Sequence, residues 1–248
     1  MRRRTAGLVA LGLAAYAVFL AALLPARVVT SRLSLPPGMS LESVEGTVWR
    51  GRANVAWHAL GPQAATNVRW QWRPAALLSG TMAYEVVANG NNLDGHGIVA
   101  HGLRAGSVED FTLDADASAI AAWIPLASAW QPGGHMRARI ERLEWDGREL
   151  QGHAEAQWTD AALALSTVKP VGTYALKLDA AGGPARVTVT TLKGPLRISG
   201  DGTLEGVARF AFTGEARAEG SDAAALAPLL DLLGPRRPDG ARALRFQA

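Results

Sequence analysis

Val68-Arg-Trp-Gln-Trp-Arg73 alternates apolar and polar side chains at every position. Side chains that alternate with a period of two point to opposite faces of a β-strand, so this pattern predicts a strand with one buried face. The same alternation recurs along the chain, with apolar positions at Ala53/Val55/Trp57, Phe111/Leu113/Ala115, Tyr174/Leu176/Leu178, Val187/Val189, Leu196/Ile198 and Phe210/Phe212. Short runs rich in Gly and Asn separate these segments and close tight turns, so we predict a mainly β, extended antiparallel sheet.

Two later segments have a helical pattern, residues 118–130 and residues 222–233. Each contains an interior proline, Pro125 or Pro228, which we expect to kink the helix or split it into two short turns. Arg242/Leu244/Phe246 alternates again and predicts a short final strand.

The two halves of the strand-rich region resemble each other. Residues 49–57 overlay residues 150–158 with matching Gly, Ala and Trp, and further matches follow in the same order. We interpret them as pseudo-repeats of about 41–130 and 133–234, each ended by a short helix. Chance matching in a chain rich in Ala and Gly is the alternative explanation.

The N-terminus carries a strong hydropathy signal. Residues 6–24, AGLVALGLAAYAVFLAALL, are 19 positions without a charge. A helix of this length spans about 28 Å, close to the hydrocarbon thickness of a bilayer, so we predict a single transmembrane helix. A cleaved signal peptide is the alternative, but the apolar run is longer than the apolar core of a signal, and Leu24-Pro25-Ala26 lacks a small residue at its first position.

The charges that flank this run predict its orientation. Arg2, Arg3 and Arg4 precede it, and only Arg27 follows closely. The positive-inside rule therefore places residues 1–5 in the cytoplasm. Residues 25–248 would form a periplasmic β-rich domain if the host is a bacterium with two membranes.

Composition excludes several classes of protein. The chain has 248 residues and a net charge of +3, which equals the three N-terminal arginines, so the remainder is neutral. A neutral domain gains little from phosphate contacts, and we expect no nucleic-acid partner. Cysteine is absent, which excludes disulfide scaffolds, thiol catalysis and cysteine-ligated metal sites.

Catalytic and cofactor motifs are missing from the sequence. The five histidines do not fall in a helical HExxH pattern, and no serine lies in a G-x-S-x-G turn. The segment 200–206 resembles a dinucleotide loop, but its third glycine is one position late and no βαβ unit surrounds it. We therefore predict a non-enzymatic protein with no cofactor and no metal site.

Two groups of polar residues have a structural and a functional interpretation. His96 and His101, five positions apart, should face opposite sides of a strand, which favours solvated side chains over metal ligands. Asp110, Asp114 and Asp116 would share a strand face with Thr112, where solvated charge is a simpler explanation than an acid–base pair or a calcium site.

The eight tryptophans are clustered. Trp49, Trp57, Trp70 and Trp72 lie in the first block, and Trp145 and Trp158 lie near the start of the second. Cross-strand packing in a core explains them without a further function. Tryptophan alternating with arginine on an exposed strand could instead mark a partner-binding edge.

A family resemblance adds to this interpretation. Val44-Glu-Gly-Thr-Val-Trp-Arg-Gly-Arg-Ala53, placed after a short apolar N-terminus, resembles the signature of the type II secretion system protein N family. The likeness continues through residues 69–80, 152–158, 170–174, 194–200 and 229–234. The signature positions, which are structural or partner-binding candidates, are Gly46, Thr47, Trp49, Gly51, Trp70, Trp72, Gly172 and Tyr174.

The resemblance implies a single-pass component of the inner membrane with a periplasmic domain. Such a protein would support the export of folded proteins from the periplasm across the outer membrane. It brings no catalytic residues, so the expected role is that of a scaffold or adaptor. The implied partners are other membrane components of the secretion system, with the outer-membrane secretin as a candidate, and the lipid bilayer through residues 6–24.

Two other functional classes remain open. Anchored periplasmic chains with repeated strands also resemble the AsmA-like bridge proteins, which handle lipid in apolar grooves, although this chain is far shorter. A periplasmic hydrolase is the third class and would require convergent polar side chains in a pocket.

Overall fold

One antiparallel sheet dominates the computed structural model, which describes residues 12–13, 15–30, 39–57, 65–121, 129–146, 149–205 and 209–247. Within these ranges the sheet has 13 strands, and each strand pairs with the next one in sequence. The strands are β1 (Met39–Gly46), β2 (Arg50–Trp57), β3 (Ala65–Arg73), β4 (Met82–Gly90), β5 (Leu93–His101), β6 (Gly106–Asp116), β7 (Gly133–Trp145), β8 (Leu150–Ala162), β9 (Gly172–Gly183), β10 (Ala185–Lys193), β11 (Leu196–Glu205), β12 (Arg209–Ala218) and β13 (Arg242–Gln247). The predicted extended antiparallel sheet is confirmed.

Short helices accompany the sheet. The α-helices are α1 (Ala26–Thr30), α2 (Ala117–Ala121) and α3 (Ala223–Leu233), and the 3-10 helices are η1 (Pro74–Ser79) and η2 (Gly220–Asp222). Residues 15–22 are also helical.

The alternation in the sequence gives the sheet one apolar and one polar face. Directly paired residues of neighbouring strands share a face, so Val68 of β3 lies beside Ala53 of β2 and Ala88 of β4. The same relation links Leu178 of β9 to Val187 of β10. We call this side the apolar face. Arginine, aspartate, glutamate and histidine side chains dominate the other side, the polar face.

The main core lies where α3 covers the apolar face near its C-terminal end. Leu226 and Leu229 of α3 are buried against Phe212 of β12 and Leu244 of β13. Burying a leucine side chain contributes about 1.5–3 kcal/mol, so α3 is held by packing rather than by its own helical propensity.

One predicted helix is found with a difference at its proline, and the other is only partly described. Pro228 lies inside the continuous helix α3 and does not divide it in two. A proline removes the hydrogen bond to the carbonyl four residues earlier, and Ala224 at that position is exposed, so water can satisfy the carbonyl. The other predicted helix begins with α2, but residues 122–128, including Pro125, lie outside the described residues. The short final strand is confirmed as β13.

The sheet runs through both predicted halves without a break. Pairing continues from β6 through β7 and β8 across the boundary near residue 133. The duplication of about 41–130 and 133–234 therefore stays a prediction from the sequence.

The transmembrane prediction concerns a segment that is only partly described. Residues 1–11 and residue 14 of the chain lie outside the described residues. Among the residues that the structure does describe, no helix combines the length and the apolar character needed to cross a bilayer. The span over residues 6–24 stays a prediction.

Candidate functional site: the tryptophan corner

Six of the eight signature residues meet at the turn between β1 and β2. Gly46 and Gly51 are directly paired, and Gly46 has a φ of +90°, where a side chain would be strained. A Cβ at Gly46 would also lie 2.5 Å from the carbonyl oxygen of Arg50. The Thr47 amide donates to that same oxygen over 2.9 Å, which closes the turn.

Trp70 of β3 covers this turn. Gly51 pairs directly with Trp70, and a Cβ at Gly51 would collide with the Trp70 indole ring. The indole nitrogen donates to the carbonyl oxygens of Thr47 and Val48, each over 3.2 Å. The glycine therefore makes room for the ring, and the ring ties the turn to β3.

Trp72, two residues further along β3, extends the cluster. Its backbone amide donates to the carbonyl of Trp49 over 2.7 Å, and the two ring centroids are 4.6 Å apart with an interplanar angle of 51°. The Trp72 indole nitrogen is buried and has no hydrogen-bond partner among the described residues. We call Gly46, Thr47, Trp49, Gly51, Trp70 and Trp72 the tryptophan corner.

The tryptophan corner binds the end of the N-terminal helical segment. The Trp49 indole nitrogen donates to the carbonyl of Ala21 over 2.7 Å, and the Val48 amide donates to the carbonyl of Leu24 over 3.0 Å. The Ala21 carbonyl also accepts from the Leu24 amide over 3.3 Å, so Trp49 is its second donor, while Val48 binds the chain just after the helical residues. Pro25 forms a bridge with Thr47, which continues the attachment.

Gly172 and Tyr174 lie elsewhere, on β9 in the main core. The Tyr174 hydroxyl donates to the carbonyl of Leu196 over 3.0 Å, and its ring centroid is 5.8 Å from that of Trp158. Burial raises the pKa of Tyr174 above its ordinary value, and the nearby Arg197 only partly opposes this effect. A Cβ at Gly172 would lie 2.7 Å from the Tyr174 hydroxyl oxygen. These two signature residues serve packing and do not join the tryptophan corner.

Trp145 and Trp158, outside the corner, also pack. The Trp145 ring lies where a Cβ of Gly106 would be, which repeats the arrangement of Trp70 and Gly51. Trp158 donates to the carbonyl of Gly133 over 2.9 Å. The side chain of Trp57 lies outside the described residues.

Three histidines of the described strands pair with neighbours on the polar face. His135 and His153 bind Asp114 and Asp179 at 2.5 Å and 2.8 Å, and His96 contacts the hydroxyl of Thr112 at 2.9 Å. His101 lies on the opposite face from His96, as predicted. His58 is not among the described residues. Among the described residues no group of three or more His, Asp or Glu is arranged to hold a metal ion.

The aspartate row of β6 differs from the prediction at one position. Asp110 has a φ of +48°, and the pairing register between β5 and β6 shifts next to it. This β-bulge takes Asp110 out of the row that Asp114 and Asp116 share with Thr112. Partial burial favours the protonated form of Asp114, but hydrogen bonds from Arg137 and His135 outweigh it and lower the pKa.

A cavity of about 700 Å³ opens on the polar face beside η1. Part of its charged lining is paired, because the Arg142 guanidinium contacts Glu144 at 2.6 Å and Glu109 at 3.7 Å. Exposed ion pairs of this kind contribute little to stability and neutralise one another. The cavity is therefore lined by an ion-pair network and by several alanines.

Sequence reasoning did not assign a role to Ala21 and Leu24, whose backbone carbonyls accept the hydrogen bonds of the tryptophan corner. Every residue has a backbone carbonyl, so residue type does not show which carbonyls accept these bonds. No sequence signal could have identified the two residues. The conformation of Gly46 could have been anticipated, because glycine is the residue that tolerates a positive φ in a tight turn.

Comparisons with known proteins bear on the identity of the chain. The model of the family described as "Type II secretion system (T2SS), protein N" matches residues 37–245. A relative from Vibrio cholerae serotype O1, named "Type II secretion system protein N", is 28% identical over 178 residues, which cover 69% of this chain and 67% of that protein. No solved structure matches. The matched region contains all eight signature residues and nearly the whole sheet, and the chain therefore belongs to the type II secretion system protein N family.

Proposed function

We propose that this protein is a non-enzymatic component of the type II secretion system that is anchored in the inner membrane and acts as a scaffold. The observation that carries the proposal is the tryptophan corner, which fastens an apolar helical segment to the sheet through Trp49 and Val48. Family membership supports the role in secretion. The scaffold role and the membrane location are our inference.

The N-terminal segment supports anchoring in a membrane. Every described residue from 12 to 23 is exposed, including Tyr16, Val18 and Phe19. A helix that is apolar on all sides is suited to lipid rather than to water. With residues 6–11 added, the uncharged run reaches the length needed to span a bilayer.

The ends of the sheet support a role in binding partners. Within the described residues, β1 and β13 each pair on one side only. An unpaired strand edge offers backbone donors and acceptors to a strand of another protein. We propose that other membrane components of the secretion system dock at one of these edges, with the secretin as a candidate, while the anchor raises their effective concentration.

The alternative of an AsmA-like lipid-handling protein is less well supported, because the family assignment concerns secretion.

Deletion of the gene tests the role in secretion. We expect exported enzymes to accumulate in the periplasm and the intact chain to restore their release. A matched variant, in which a cleavable signal peptide replaces residues 1–24, should reach the periplasm but fail to restore secretion. Normal secretion in a deletion strain without a second copy would overturn the role, and full rescue by the unanchored variant would overturn the anchor.

Crosslinking in cells tests the docking edge. Photoreactive residues placed in β1 or β13 should capture another membrane protein of the secretion system. Central strand β7 is the matched control, because it already pairs on both sides. Equal capture from β7 would contradict docking by strand pairing.

A further inference from the structure

Three connections lie together at one end of the strands, next to the N-terminal segment. In this subsection we call the side of the sheet where the strands end an edge, which is distinct from the unpaired sides of β1 and β13. In an antiparallel sheet of consecutive strands, the connections alternate between the two ends of the strands. The β1–β2 turn (residues 47–49), the β3–β4 connection with η1 (Pro74–Ser79) and the β5–β6 turn (residues 102–105) are therefore on the same side. The first of them belongs to the tryptophan corner, which holds the end of the apolar helical segment.

This edge carries the most exposed apolar side chains of the described residues. Leu78 in η1 is 94% exposed and Leu103 at the tip of the β5–β6 turn is 102% exposed. No other large apolar side chain among the described residues is more than 69% exposed. Leu77, beside Leu78, is also exposed.

The backbone holds these leucines outward. The Gly80 and Thr81 amides donate to the carbonyls of Leu77 and Ala76 over 3.0 Å and 3.1 Å, with Gly80 at a φ of +73°. This arrangement ends the 3-10 helix after two turns and fixes its outer surface. The Gly102 amide closes the other turn by donating to the carbonyl of Ala105 over 2.7 Å. The exposure of Leu78 and Leu103 is therefore built into hydrogen-bonded turns.

The charge of the edge matches a lipid headgroup layer. Residues 47–50, 73–81 and 102–105 contain three arginines, Arg50, Arg73 and Arg104, and no acidic residue. None of the three arginines pairs with a carboxylate among the described residues. Basic side chains beside apolar ones favour the surface of a membrane that contains anionic lipid.

The geometry of a twisted sheet allows all three connections to reach one surface. Neighbouring strands turn by roughly 20–25°, and half of a nine-residue strand is about 15 Å long. If the β3–β4 connection points straight at a membrane, the connections two strands away on each side recede by only about 4 Å. The next turn on this edge, between β7 and β8, is four strands away and lies about 15 Å higher. That turn contains Asp146 and Glu149 beside Arg148, as expected of a polar segment that stays in water.

We propose that these three connections, which we call the leucine edge, rest on the periplasmic surface of the membrane that holds residues 6–24. Leu78 and Leu103 insert at the boundary between headgroups and acyl chains, and Arg50, Arg73 and Arg104 contact the headgroups. The proposal rests on the membrane anchor of the proposed function and adds that the sheet stands on the bilayer in a fixed orientation. Trp49 and Trp72 then lie at the level where aromatic residues favour the membrane interface.

Site-specific labelling of the full chain tests the leucine edge. The chain has no cysteine, so single variants Leu78→Cys and Leu103→Cys can each carry one environment-sensitive fluorophore. Leu165→Cys and Leu192→Cys are matched controls, since these leucines are 57% and 54% exposed on the opposite edge of the sheet. Each labelled protein is reconstituted into vesicles of phosphatidylethanolamine and phosphatidylglycerol.

Labels at residues 78 and 103 should emit at shorter wavelength and be quenched by a lipid-borne agent. The control labels should respond only to a water-soluble quencher. If all four labels respond alike to the water-soluble quencher, the leucine edge is wrong while the anchor stands. Protection at 78 and 103 without quenching from lipid would indicate contact with another protein and would overturn the proposal. Failure of the full chain to float with vesicles would overturn the anchor and, with it, the leucine edge.

Discussion

A single methyl group at Gly51 should destabilise the tryptophan corner. In Gly51→Ala the new Cβ would collide with the Trp70 indole ring, which is half-buried and held by hydrogen bonds to Thr47 and Val48. The ring cannot move away without giving up those bonds. Overpacking of a well-packed site costs about 1–3 kcal/mol, and a lost hydrogen bond adds about 1 kcal/mol. We expect a loss of about 2–4 kcal/mol in the free energy of unfolding.

Thermal unfolding followed by circular dichroism measures this effect. For a chain of this size, the loss corresponds to a melting temperature lower by roughly 5–15 °C. Gly183→Ala is the matched control, because a Cβ there meets nothing within 4 Å and the residue has no positive φ. A Trp70→Leu substitution should relieve the clash, so that adding Gly51→Ala to it has a smaller effect. Equal melting temperatures for Gly51→Ala and Gly183→Ala would refute the seating of Trp70 on Gly51.

Three further predictions address the helix attachment, the core and a buried phenol. Trp49→Phe keeps an aromatic ring beside Trp72 but loses the 2.7 Å bond to Ala21, so hydrogen exchange near residues 21–25 should speed up roughly fivefold, for a loss of about 1 kcal/mol; unchanged exchange would contradict the attachment. Leu229→Ala, at a position 2% exposed, should lose about 2–5 kcal/mol in denaturant unfolding, whereas Leu232→Ala, 61% exposed, should stay within about 0.5 kcal/mol. Because burial raises the pKa of Tyr174, its stabilising effect is complete below the unfolded-state pKa of about 10 and declines at higher pH. Ultraviolet titration of the native chain should therefore show a late phenol that Tyr174→Phe removes, and a tyrosine spectrum that titrates fully at about pH 10 would contradict this.

The strands were largely predictable because their alternation is a local property. Val68, Trp70 and Trp72 were assigned to one face from sequence alone, and they share that face in β3. The predicted face of Asp110 was wrong, because a β-bulge depends on the register of the neighbouring strand rather than on the residue itself. Pro228 in α3 shows the same limit, since packing of Leu226 and Leu229 keeps the helix intact across the proline.

The candidate site was predictable in composition and not in arrangement. The signature listed Trp49 and Trp70 together with Gly172 and Tyr174, but the first pair forms a corner and the second lies in the core. Residue types alone cannot separate a tryptophan that holds a helix end from an aromatic side chain that fills a core. Both bury apolar area, and only the position of the acceptor carbonyl distinguishes them.

The sequence by itself determined an antiparallel sheet with one apolar face, an apolar N-terminus, and membership of a secretion family. Those properties follow from side-chain periodicity and order along the chain, which need no knowledge of distant contacts. Only the tertiary structure decided that Trp49 reaches back 28 positions to Ala21 and that Leu78 and Leu103 share one edge with it. Such contacts join residues far apart in sequence, and they depend on strand pairing and register across several strands.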